Sequence, residues 1–111
     1  MATVPLNAFK TVTANLTTSM TDVYTAPAGV SSIILTAQIA NVTSTSGSAT
    51  FAHVSGSTVT ELIKDYEIPG NDAASATTGK LVLESGQKIR VAANTSNKMK
   101  LTLSILESAN E

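Results

Sequence analysis

The chain has 111 residues, a formal net charge of −1 and only 14% charged residues. That length suits one domain burying about two thirds of its unfolded surface, and so weak a charge gives no long-range pull toward a polyanion or an acidic membrane. The absence of cysteine excludes disulfides, thiolate chemistry and cysteine-ligated zinc. With 17 Thr and 13 Ser beside Val and Ile, and few Glu, Lys, Gln or Arg, the composition favours pleated, half-buried strands over helices.

In chain order, the opening MATVPLNAFK lacks the charged region and continuous apolar run of a secretion signal. No stretch approaches the roughly 18 to 20 apolar residues of a membrane span, which predicts a soluble product made in a cytoplasm. Residues 1–8, with isolated Val4 and Leu6 around Pro5, read as an arm outside a single domain at 9–111. A weak strand is predicted within Phe9–Thr17, and stronger ones at Met20–Thr25, Ser32–Val42, Ala49–Val54, Val59–Ile68 and Lys80–Glu84. Ala26-Pro27-Ala28-Gly29, Thr43–Ser48, Ser55-Gly56-Ser57 and Pro69-Gly70-Asn71-Asp72 punctuate them. Ala73–Thr78 reads as a crossing loop.

The last two strands have the cleanest alternation: Ile89, Val91 and Ala93 within Gln87–Ala93, then Met99, Leu101, Leu103 and Ile105 within Lys98–Glu107. Read as an antiparallel pair, they need an odd-length loop to match their apolar faces, and Val91 opposite Leu101 keeps Arg90 away from Lys100. The fold class that follows is all-β: a single-domain antiparallel β-sandwich, Greek-key or jelly-roll-like, of about eight strands.

Residues capable of chemistry do not converge. His53, the lone histidine, reads as a satisfied strand residue, since neither a metal site nor a triad can be assembled around it from spacing. Asp65 and Glu67 share a strand face with Glu61, but side-by-side carboxylates do not flank a sugar-sized cleft. With Asn71 and Asp72 they lack the loop spacing of the helical calcium motif. Thr78-Gly79-Lys80 fails as a phosphate loop, because Leu81 follows Lys80 and no glycine stands five residues before Gly79. Lys80, Lys88, Arg90, Lys98 and Lys100 gather late in the chain without interleaved aromatics, so they read as a solvated face and no specific nucleic-acid partner is predicted. The Asn-x-Ser/Thr triplets at Asn15, Asn41 and Asn94 are what a Ser/Thr-rich chain generates by chance. No catalytic residue, metal or cofactor is predicted.

The runs VYTAPAGVSSIILTAQIANVT, LIKDYEIPGN, GKLVLESGQKIRVAA and MKLTLSILE, in that order over about residues 23–107, resemble small virion structural proteins of tailed bacteriophages. Gln87 stands where that pattern often has an acidic residue, and the family brings no catalytic residues. The resemblance implies a capsid decoration (cement) protein bound to the major capsid protein or other virion proteins, self-associated, with a trimer favoured. It would reside in the virion. A neck, tail or fibre component is the alternative, and a carbohydrate-binding module is disfavoured by the lack of Trp and the presence of only two Tyr and two Phe. Val4, Leu6 and Phe9 are the predicted partner contacts, because a small sandwich must keep its other large apolar side chains in its own core.

Overall fold

The computed structural model describes residues 7–77 and 79–109, with the side chain of Ala109 left out. Nine strands form two antiparallel sheets, and no helix occurs among the described residues. The strands are β1 (Asn7–Asn15), β2 (Thr21–Thr25), β3 (Val30–Asn41), β4 (Gly47–Ser55), β5 (Thr58–Ile68), β6 (Ala73–Ser75), β7 (Leu81–Leu83), β8 (Lys88–Ala93) and β9 (Met99–Ala109). Sheet A has the order β1-β9-β3-β6, with β7 also paired to β3; sheet B has the order β2-β8-β4-β5. The chain changes sheet at most of its connections and encloses one core between the sheets. Phe51, Val91 and Ile89 of sheet B meet Ile34, Ile39, Leu101, Leu103 and Ile105 of sheet A there.

Each of the eight strands read from the sequence is present, with ends displaced by a few residues. The ninth, β6, lies in the segment read as a crossing loop: Ala73, Ala74 and Ser75 pair with Ala40, Ile39 and Gln38 and cover part of the β3 edge. Three residues of small, mixed character carry no period from which a strand can be read. Asn7 and Ala8, assigned to the arm on sequence, are paired in β1 with Ser108 and Glu107.

The proposed pairing of the last two strands is incorrect. The β8 strand runs between β2 and β4 in sheet B, whereas β9 runs between β1 and β3 in sheet A. Residues Asn94–Lys98 arch from one sheet to the other, held by hydrogen bonds from Ala93 N to Thr17 O, from Asn94 N to Ser48 O and from Asn97 N to Leu16 O. Val91 and Leu101 do share the core, but from opposite walls. Alternation identifies the face a strand buries; it does not identify the neighbouring strand.

Two polar ties join the sheets at opposite ends of β3. At one end the Tyr24 hydroxyl of β2 donates to Glu107 Oε2 of β9 at 2.5 Å and lies 2.7 Å from the buried Ser32 Oγ of β3, which donates to it. At the other end buried Asn41 donates through Nδ2 to Ile68 O (3.0 Å) and Thr45 O (2.8 Å), while its Oδ1 accepts from Thr43 N and Oγ1. The loop that Asn41 holds lies directly against Gly70. A side chain at Gly70 would meet the Ser44 carbonyl carbon at 2.4 Å, so this close approach requires glycine.

Candidate interaction surface

The outer face of sheet A follows from its register, since residues opposite one another share a face. Phe9 stands opposite Leu106, Leu106 opposite Ile33, and Ile33 opposite Val82. These four form one apolar row crossing β1, β9, β3 and β7, turned away from the core that Ile34, Leu101, Leu103 and Ile105 fill. Phe9 is 78% and Val82 55% exposed, while Leu106 and Ile33 between them are half-buried. The next rows are polar and uncharged: Thr11, Ser104 and Thr36, then Thr13, Thr102, Gln38 and Ser75. Lys100 lies on this face, where its Nζ donates to Asn15 Oδ1 at 2.7 Å, and exposed Lys80 and Glu84 stand two residues either side of Val82 at the β7 end.

Of the residues predicted as partner contacts, Phe9 is thus an exposed aromatic inside a paired strand. Val4 and Leu6 lie outside the described residues. Sequence reasoning missed Leu106, Ile33 and Val82, although the signal was available: Ile33-Ile34-Leu35, Leu81-Val82-Leu83 and Ile105-Leu106 each break the alternation with consecutive apolar residues. Such runs mark strands with apolar side chains on both faces.

Sheet B presents a charged face. Arg90 Nε donates to Asp22 Oδ1 at 2.6 Å, and Lys88 Nζ lies 3.5 Å from Asp22 Oδ2. The hydrogen bond from Arg90 holds the Asp22 carboxyl below its ordinary range, and the same contact raises Arg90. On β5 the predicted common face of Glu61, Asp65 and Glu67 is interrupted by register shifts, and Asp65 has a positive φ of 49° as its N–H donates to Thr50 Oγ1. Bulges and charges on an edge strand discourage further pairing along it. The late-chain basic residues are divided: Lys88 and Arg90 are on sheet B, Lys100 is on sheet A, and Lys98 donates to Ser46 O and Thr45 Oγ1.

His53 is half-buried at one end of β4, its Nε2 3.0 Å from Gln87 Oε1; the same oxygen accepts from Glu84 N, so the imidazole is the donor. Gln87 Nε2 in turn donates to Ser55 Oγ. This chain of bonds fastens the turn before β8 to β4. Among the described residues no group of three His, Cys, Asp or Glu is placed to hold a metal ion.

No protein-family model matches the chain, and no curated protein matches it in sequence. Among solved structures, a protein described with Bacillus endospore appendages, "a novel family of disulfide-linked pili", superposes with a TM-score of 0.59 at 8% identity, over 100% of this chain and 98% of its own. A pentameric capsid protein from metagenomic phage sequences superposes with a TM-score of 0.46 at 14% identity, over 98% of this chain and 65% of its own. The likeness to the appendage protein is one of fold. This sandwich spans nearly the whole length of that chain.

Proposed function

We propose that the protein is a non-enzymatic structural subunit of a tailed-phage virion, a decoration protein bound to the major capsid protein on the outer shell. The observation that carries this reading is the outer face of sheet A: a Ser/Thr-rich surface with few charges, crossed by one apolar row. The order of turn and strand motifs over residues 23–107 supports it from the sequence side. Many copies packed side by side would accumulate repulsion if strongly charged, and this surface avoids that. Lacking cysteine, the chain cannot use the disulfide links named for the appendage protein.

In this reading Val4 and Leu6, in the segment directly before β1, dock on the shell. Pro5 between them restricts the backbone and lowers the ordering cost. Copy counting by mass spectrometry on purified particles tests the assignment. Hundreds of copies support a shell protein, whereas a dozen or fewer place it in the neck or tail. A chain lacking residues 1–6 should fold yet occupy stripped particles poorly; undiminished occupancy would remove the segment from the contact. The truncation stops at Leu6 because Asn7 and Ala8 are paired in β1.

A further inference from the structure

Among the described residues the apolar row on sheet A is continuous, with Phe9 and Val82 exposed at its ends, and the chain's own surfaces indicate what can cover it. We propose that Phe9, Leu106, Ile33 and Val82 form the centre of a symmetric contact between two copies of this chain, sheet A laid on sheet A. The inference concerns the isolated chain and does not rest on the virion reading.

Charge selects the occupant. Sheet B of a second copy would bring Asp22, Lys88, Arg90 and Glu61 against apolar side chains, stripping water from charges with no new partner. Sheet A brings an apolar row flanked by Thr11, Ser104 and Thr36 on one side and by Asn7, Ser108 and Ser31 on the other, with charges, Lys80 and Glu84, only at its β7 end. Lys100 lies six residues from Leu106 along β9, about 20 Å away at strand spacing. A two-fold axis along the row stacks row on row and sends the two copies of Lys100 to opposite ends, where they do not repel.

Size agrees with the same occupant. Four strands about 4.8 Å apart, with an 11-residue β9 rising about 3.4 Å per residue, give a face of about 700 Å². A standard stable interface takes about 800 Å² from each partner, so a contact using most of this face belongs to the weaker part of that range. Packed sheets sit about 10 Å apart, which leaves room for Phe9 and Leu106 to interdigitate. Because the patch pairs with itself, the assembly closes at two copies; the trimer favoured on sequence would need two different complementary patches.

Sedimentation equilibrium on the full chain, from roughly 1 µM to 1 mM, tests the proposal, with a monomer–dimer equilibrium expected at about micromolar affinity. Phe9→Ser, at an exposed position, should weaken it by about tenfold while leaving the circular dichroism spectrum and melting temperature unchanged. Leu106→Glu, which sets like charges face to face, should weaken it by about a hundredfold or more. Glu61→Gln on sheet B should leave it unchanged. A chain monomeric throughout the range, an assembly that grows past two copies, or a dimer indifferent to Phe9→Ser would overturn the proposal. None of these outcomes bears on shell occupancy, so its failure and that of the virion reading are separable.

Discussion

The two sheets share one core and turn very different faces to the outside. Sheet A offers Phe9, Leu106, Ile33 and Val82 in a row among threonines and serines, whereas sheet B offers Asp22 clasped by Arg90 and Lys88 and a bulged, charged edge at β5. Solvated charges and an irregular edge keep a sheet apart from other sheets. A face with few charges and exposed apolar groups does the opposite. The contrast shows that in a chain with so few ionisable residues, their placement matters more than their number: the charges of sheet A, the Lys10–Glu107 pair and Lys100 among them, stand away from the apolar row or at its end, which leaves its centre free to make contacts.

If the row exists for contact and the core for stability, aromatic truncations should separate the two roles. Phe51→Ala, at a fully buried position, should cost about 3–5 kcal/mol of unfolding free energy in urea, whereas Phe9→Ala should stay within about 0.5 kcal/mol. Comparable losses at both positions would mean that Phe9 packs into its own domain.

The ties between the sheets come next in size. Asn41→Ala removes two donated and two accepted hydrogen bonds at a buried site, and should cost about 2–4 kcal/mol and speed amide exchange in the loop at 43–46. At the other end, burial and the Glu107 carboxylate push the Tyr24 hydroxyl up to about 12, above the usual 10. The folded state therefore favours the protonated phenol. Its contribution is complete below pH 10 and lost as pH rises from 10 to 12, by up to about 2–3 kcal/mol. Tyr24→Phe should flatten this alkaline loss in a denaturation series against pH.

The smallest effect belongs to the charged face. Asp22→Asn should change stability by less than about 1 kcal/mol, because the pair with Arg90 is exposed to solvent. Its lowered carboxyl contributes above the ordinary aspartate range and loses that contribution as pH falls through the depressed value. Self-association should not respond to the substitution at all.

Much of this architecture was legible in the residues. Period-2 alternation at Ile89–Ala93 and Met99–Ile105 identified the buried faces, and Ser55-Gly56-Ser57 marked the tight reversal between β4 and β5, where Gly56 has a φ of +60°. The partner of each strand was not legible, because an arch between sheets and a hairpin within one leave the same alternation. That single ambiguity hid the surface: with β9 assigned beside β8, Leu106 had no reason to align with Phe9 and Ile33. The β5 bulge at Asp65 and the short β6 were also hidden, since both are imposed by the strands they pair with. Asn41 looked like part of a chance glycosylation triplet, and only its burial shows it as a tie between sheets.

The central claim is that the outer face of sheet A is the contact face. Methyl chemical shifts followed by NMR over a dilution series test it most directly. The account predicts that Ile33, Val82 and Leu106 move together with concentration while Val59 and Leu62 on β5 stay fixed. Shifts confined to β5, or none on the row at any concentration at which the chain self-associates, would contradict it.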